Sequence, residues 1–425
     1  MKTALTAWLL ALFGAQLHAA QPPKTLEDLR LRAIAYFVDN ADAKTGLVSD
    51  RAANSTSRGT MPYKKASISA TGMGLAVLAH AAKTGRLARP TAYAQIEKTL
   101  AACSAMPHYK GWFYHFIDPQ TGARADLSEV STIDTGLFLA GALYAAQVFP
   151  GTQAATQALA LFDRTDFPNM LTNGGAAPSK TTLSHGWTPE GGYLRWQWDS
   201  YAEHTMLLLL GIGHKNPIAP AVWKGFARPT IQGKYAKGAL LGLDLPLFVH
   251  QYSHLFVDFR GLKDSFGDYF ENSKAATQES RSATLLAGTR ATYRAGYWGL
   301  SAGDSPTGGY EAYSPVKEDG TVCPGCAGAS AMFDPPTVLG DLNRWIADPK
   351  IASYWGPYGF PDGINLDQQW ASPDAIGITV AALYLGLVNI PGEVSIWQDF
   401  MQTAAMRKAI PLVFPARSLA LSEKK

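Results

Sequence analysis

The chain has 425 residues, a formal net charge of +3 and 47% hydrophobic residues. Such a length suits one large domain or two ordinary ones, at roughly 100–200 residues per domain. Near-neutral charge with no block of Lys or Arg argues against nucleic acid as a partner.

The first residues read as an export signal. Lys2 supplies the charge, Ala4 to Leu17 the apolar run, and Leu17-His18-Ala19-Ala20 a small-residue cleavage site. The run falls short of the roughly 20 residues that span a bilayer, and no later segment is long and apolar enough to do so. The expectation is a cleaved leader over residues 1–20 and a periplasmic or secreted chain over 21–425, free of the membrane. Of the three cysteines, Cys103 sits alone in a predicted helix and reads as a small buried hydrophobe. Cys323 and Cys326 have C-x-x-C spacing inside a Gly/Pro/Ala loop, which favours a local structural disulfide over a redox motif.

In chain order, Thr25–Val38 has helical spacing of Leu26, Leu29, Leu31, Ile34 and Phe37, with Thr25 as an N-cap. Residues 45–65 form a polar loop. Helices follow over 67–82 and 90–103, then an aromatic, hairpin-like loop over 111–124. Ser128–Val148 is a strong helix that Ser131 or Thr132 can cap, and 152–164 another. Residues 182–198 are a Trp- and Gly-rich loop, and 199–211 a helix. The stretch 245–274 gives a helix to about Arg260, and a second helix runs over 269–287. A long irregular region covers 297–330. Helices over 335–347, 373–388 and 391–406 each carry Pro near the first turn. Roughly a dozen helices, few convincing strands and no linker predict a single all-α domain, a toroid of paired inner and outer helices.

The chemistry concentrates in a few places. His250, His254 and Asp258 lie at i, i+4 and i+8, so on one helix they share a face. Such groups are expensive to bury without partners, so this face is expected to line a polar pocket with Arg260 and Glu271. A metal held by His250, His254 and Asp258 is the weaker reading, because the Glu of H-E-x-x-H is missing; no metal and no cofactor are expected. Tyr114, Trp187, Trp198, Trp298 and Trp355 stand near polar residues in the long loops. Flat aromatic faces beside hydroxyl-binding groups suit a sugar.

Glycoside cleavage needs two carboxyl groups. Glu203 is the first choice for the acid, since the apolar run after it can raise its pKa. Asp134, between Ile133 and Thr135, is the next carboxyl, followed by Glu271, Asp258 and Asp374. No phosphate-binding Gly loop and no G-x-S-x-G occurs, so nucleotide and serine-hydrolase chemistry fall away.

Several segments together resemble a known family. SDRAANSTS (49–57), SISATGMGLAVLA (67–79), GWFYHFIDPQTGAR (111–124), EVSTIDTGLFLAGAL (129–143), WDSYAEHTMLLLLGIG (198–213), HQYSHLFVDFRGLKD (250–264), DYFENSKAAT (268–277) and YWGLSAGDSPTGGYEAY (297–313) occur in order. They resemble the glucoamylase-like proteins that include endo-β-1,2-glucanases and the processing domain of cyclic β-1,2-glucan synthases. The resemblance implies an (α/α)6 barrel, no cofactor, and cleavage of β-1,2-glucan, with anomeric inversion in most hydrolytic members. It implies Glu203 as general acid, Asp134 as an acidic pocket residue, and His250, His254, Asp258, Arg260 and Glu271 as a polar wall. The family often carries G-I-D-Q-G near the C-terminus. Here the segment is WASPDAIGITVAA, and Thr379 stands where that Asp would be.

The resulting expectation is a monomeric endo-acting, inverting β-1,2-glucanase. Its rivals are a retaining enzyme with Glu271 as nucleophile, a catalytically inactive glucan-binding protein and, more weakly, a polysaccharide lyase using Arg260.

Overall fold

The computed structural model describes residues 22–55, 64–176 and 181–415. The expected export signal lies outside the described residues, and no helix among them is long and apolar enough to cross a membrane.

Fourteen α-helices form among the described residues. They are α1 (Leu26–Asp39), α2 (Ile68–Lys83), α3 (Arg89–Ala105), α4 (Thr132–Val148), α5 (Gln153–Asp163), α6 (Thr205–Gly213) and α7 (Leu247–Phe256). Then come α8 (Tyr269–Ala287), α9 (Ala291–Arg294), α10 (Pro324–Ala329), α11 (Pro335–Ile346), α12 (Gly377–Val388), α13 (Ile396–Phe400) and α14 (Ala404–Val413). Their starts follow capping chemistry. Thr25 and Asp28 make a reciprocal capping box on α1. Ser67, Ser131 and Thr152 side chains accept from backbone N–H groups at the starts of α2, α4 and α5.

Two classes of helix appear. In α2, α6, α10 and α12 nearly every residue is buried. In α3 only Ala92, Ile96, Thr99, Leu100 and Cys103 are buried, one stripe at helical spacing. The first class forms an inner ring. α2 packs on α4, α4 on α6, α6 on α7, α7 on α10, α10 on α12, and α12 back on α2. Around it, α1 lies on α12 and α2, α3 on α2, α5 on α4, α14 on α6, α8 on α7 and α11 on α10. This is an (α/α)6 barrel, the fold that the resemblance implied.

Glycines set the closest approaches within it. A Cβ on Gly141 would collide with the Gly72 carbonyl, and a Cβ on Gly72 with the Phe138 backbone, so α2 and α4 touch main chain to main chain. Gly213 meets the Ala405 backbone between α6 and α14, and Gly386 meets Ala329 between α12 and α10.

Short strands of two or three residues decorate the loops. They are too brief to show period-two alternation, so the sequence shows few of them. They also move several predicted boundaries. Asp374–Ile376 pairs with Arg51–Ala53, which delays α12 to Gly377. Asp199 and Tyr201 exchange backbone hydrogen bonds with Ala227, so α6 starts at Thr205 and not at 199. The helix expected to reach Arg260 ends at Phe256, where the Asp258 carboxylate instead holds the Arg260 N–H and guanidinium in a turn. The segment 391–406 breaks into α13 and α14, capped by Ser395 and Thr403. The irregular stretch 297–330 contains a hairpin, Ala302–Asp304 with Tyr310–Ala312, and α10. Cys323 and Cys326 form the expected disulfide at the start of α10, and Cys103 is a buried free thiol.

The glycine contacts make a direct prediction. Gly141→Ala should destabilise the fold by about 3 kcal/mol or more, because backbone on the facing helix cannot yield as a side chain can. Gly85→Ala is the control, where a Cβ meets nothing within 4 Å and only the positive φ is strained. Urea unfolding of the two variants against wild type measures the difference.

Candidate active site

A cavity of about 440 Å³ opens at the N-terminal ends of the inner helices. Ser69 of α2, Ile133, Asp134 and Leu137 of α4, Phe248 and Tyr252 of α7, and Ile378 of α12 reach into it. Glu203 enters from the turn before α6. Loops complete the wall with Asp50, Arg51, His115, Phe116, Ala302, Tyr310 and Ile376. The surface is mostly apolar, with the carboxyl groups set into it.

Glu203 is anchored through its backbone: its carbonyl accepts from the Ser253 hydroxyl at 2.5 Å, and the same Oγ accepts from the Met206 N–H at 2.9 Å. Ser253 of α7 thus fixes both sides of the turn. Burial, with the negative charge of Asp134 adding to it, pushes the Glu203 carboxyl up to about 7. The next residue, His204, is fully buried between Trp198 and Phe226. Its ring nitrogens find no hydrogen-bond partner among the described residues, and burial pushes it down to about 3. Glu203 is therefore backed by a neutral, rigid aromatic stack and not by a cation.

Asp134 belongs to the first turn of α4, because Ser131 caps the helix. Its carboxylate accepts from the Ser131 hydroxyl at 2.5 Å and faces His115 Nε2 at 3.7 Å. The other ring nitrogen, Nδ1, lies 3.1 Å from Glu129. Burial alone would lower the His115 pKa, but Asp134, Glu129 and Asp50 outweigh it and push it up to about 9. His115, Glu129 and Asp134 also lie close enough for one cation to bridge them. A protonated imidazole between two carboxylates accounts for the same geometry.

Near it lies an acidic network of which the sequence reading named only Asp374. Arg51 pairs with Asp304 at 2.8 Å and with Asp50 at 3.3 Å, and approaches Asp374 at 3.7 Å. Behind it, Asp362 is 1% exposed. Its carboxyl accepts from the Asp304 N–H at 2.8 Å and from the Thr379 hydroxyl at 2.9 Å. Burial and the neighbouring Asp304 raise it to about 7. At the position where the resemblance leads one to expect a carboxylate, this chain has a hydroxyl that binds a carboxyl from another loop. Nothing in the turn-like sequence Pro361-Asp362-Gly363 signals this.

Of the carboxyls proposed from sequence, Glu203 and Asp134 line the cavity. Asp374 is buried behind Arg51. Asp258 is tied up with Arg260, whose guanidinium lies over Trp397. Glu271 is exposed in the first turn of α8. The polar face of 250–258 does not line the cavity. Because α7 stops at Phe256, Asp258 leaves the face of His250 and His254. His250 donates from Nε2 to the Gly242 carbonyl, and His254 meets the Ser273 hydroxyl. Burial pushes them to about 4 and about 3, so both are neutral packing groups at pH 7. Trp298 and Trp355 are core residues. Trp198 is buried, donating to the Thr132 hydroxyl. Trp187 lies flat on Tyr109 at 3.9 Å, and Tyr114 lies under the Arg124 guanidinium.

Comparison with known proteins agrees with this architecture. Residues 195–404 match the family described as Glycoamylase, "Putative glucoamylase". A Bacteroides uniformis structure given the same description superposes with a TM-score of 0.82 at 24% identity, covering 92% of this chain and 98% of that one. An endo-β-1,2-glucanase from Chitinophaga pinensis, solved with sophorotriose and glucose, superposes at 0.83 and 20% identity, covering 91% and 97%. An exo β-1,2-glucooligosaccharide sophorohydrolase of Parabacteroides distasonis is 31% identical over 168 residues, which is 39% of this chain and 23% of that protein. Residues 195–404, just under half of the chain, thus match the glucoamylase-like family, and the fold is an (α/α)6 barrel.

The raised Asp362 carboxyl predicts a pH signature. Its folded value lies above the usual carboxyl value of about 4. The folded state therefore binds the extra proton, and stability falls as pH rises from about 4 to about 7. Asp362→Asn should match wild type in Tm at pH 4 and exceed it at pH 8. Equal Tm at both pH values would show an unperturbed carboxyl.

Proposed function

We propose that this protein is a glycoside hydrolase that cuts β-1,2-glucan within the chain and inverts the anomeric centre. The observation that carries the reading is the pair Glu203 and Asp134 in one largely apolar cavity, with Glu203 raised to about 7 by burial and by Asp134. Two carboxyls in different environments are what acid–base cleavage of a glycoside requires. Glu203 gives its proton to the departing glycosidic oxygen. Asp134 takes a proton from the water that attacks the anomeric carbon. No cofactor enters this scheme.

The substrate class rests on two supports. The comparisons bring together a sophorohydrolase and an endo-β-1,2-glucanase. The cavity wall carries Asp50, Asp134 and Glu203 against Arg51, which is already paired, and His115, which is flanked by carboxylates. That balance favours a neutral glycan over a uronate. Arg260, the cation a lyase would have used, is paired with Asp258. The exposure of Glu271 counts against it as the nucleophile of a retaining enzyme. Endo action follows the motif resemblance. We place the protein outside the cytoplasm, where the Cys323–Cys326 disulfide is stable, and expect it to act as a monomer.

Incubation with linear β-1,2-glucan, with products followed by chromatography and by NMR of the newborn anomer, tests the whole reading. Short oligosaccharides born as the α-anomer are expected. β-Anomers would overturn inversion, release of sophorose units from the chain end would overturn endo action, and the absence of products would sink the hydrolase. Glu203→Gln should fold normally and lose at least about a thousand-fold in kcat. In wild type, kcat/KM should fall as pH rises through about 7, where Glu203 gives up its proton.

A further inference from the structure

We propose that Trp196, with Arg195 stacked behind it, is an outer sugar platform that holds neutral β-1,2-linked glucose residues beyond those in the cavity. The proposal rests on the glucan reading above.

Most tryptophans among the described residues are buried, but Trp196 is 56% exposed. Its ring is held in place. The Arg195 guanidinium lies 4.1 Å from the ring centroid, within cation–π range. No other aromatic ring packs against it among the described residues, and more than half of the side chain's surface meets solvent. The backbone on either side is fixed. Trp196 O accepts from His185 N–H at 2.9 Å, Gln197 bridges Ser184, and Trp198 N–H donates to Leu183 O. A pre-positioned ring loses little freedom on meeting a ligand.

Arg195 supports the same reading independently. It has no ion pair and no side-chain hydrogen bond among the described residues, unlike Arg124, which pairs with Glu190. A guanidinium carries five N–H donors. Behind an indole face they can reach the hydroxyls at a sugar's edge while the ring takes its C–H face.

The platform is connected to the site. Trp196 O takes the His185 N–H, and His185 O takes the Thr132 N–H at 3.0 Å. Two strand spacings of roughly 4.8 Å therefore put the Trp196 backbone about 10 Å from the start of α4. Asp134 stands in the first turn of that helix. This is a reach of a few sugar units, suited to residues outside the cavity. Trp187, chosen from the sequence, has one face covered by Tyr109 and is less exposed than Trp196.

The test compares wild type and Trp196→Ala on linear β-1,2-glucan and on the β-1,2-linked glucose trimer. It also compares Glu203→Gln with the Glu203→Gln/Trp196→Ala double variant by retardation in gels containing the polymer. Thermal unfolding confirms equal folding. The expected result is a KM for polymer raised roughly ten-fold with kcat unchanged, trimer kinetics unaltered, weaker retardation of the double variant, and partial recovery in Trp196→Phe. Unchanged polymer KM and retardation would overturn the platform and leave the hydrolase standing. Parallel loss on trimer and polymer would also overturn it, since Trp196 would then act within the cavity. If wild type neither cleaves the polymer nor is retarded by it, the glucan reading and the platform fall together.

Discussion

Closure of the inner helical ring is the constraint from which the site follows. Each inner helix has neighbours on both sides, an outer helix behind it and the barrel axis in front. Such a helix must be apolar nearly all round, and α2, α6 and α12 are. Polar side chains are then tolerated at the helix ends, where unpaired N–H groups and loops can satisfy them. Asp134 in the first turn of α4, Ser69 at the start of α2 and Glu203 just before α6 obey that rule. The glycine contacts between α2 and α4 bring two of these ends close enough to share one cavity.

Within the cavity, desolvation and charge act against each other, and the balance differs from group to group. At Glu203 burial is offset only in part by a backbone N–H, and the proton is held to about neutrality. At His115 three carboxylates overcome burial and keep the ring charged. Asp362 is shifted in the same direction as Glu203: it is buried, with a like charge beside it, and two donors reduce its shift without cancelling it. One wall thus carries a proton donor while a neighbouring wall carries a fixed positive charge between acids. This separation of roles comes from environment, since the residues themselves are ordinary carboxyls and an ordinary imidazole.

The short strand pairs place the loops. Arg51–Ala53 on Asp374–Ile376 brings Asp50 and Arg51 to the start of α12. Phe116–Ile117 on Ala66–Ser67 sets His115 beside the start of α2. The pairing of 130–131 with 186–187, and of 187–188 with 192–193, extends the start of α4 outward toward Trp196. Each pairing satisfies backbone groups that would otherwise be buried without partners, and each fixes a side chain at the rim.

The sequence by itself determined most of the helices, several of their caps and a toroid of paired helices. Apolar spacing and the N-cap residues Thr25 and Ser131 act over a few neighbouring positions, so they can be read in one dimension. It also determined that Glu203 and Asp134 were unusual, because a charge against an apolar run shows locally. Tertiary structure decided which polar groups meet. His250 and His254 looked like a pocket wall and proved to be neutral packing groups, because their partners Gly242 and Ser273 come from other segments. Asp362 and Thr379 met across the fold, as did Arg51 and Asp304. Exposure, too, was settled only in three dimensions: Trp298 and Trp196 look alike in their loops, yet one is sealed in the core and the other faces water. Desolvation and long-range pairing depend on everything packed around a group, and no local stretch of sequence carries that information.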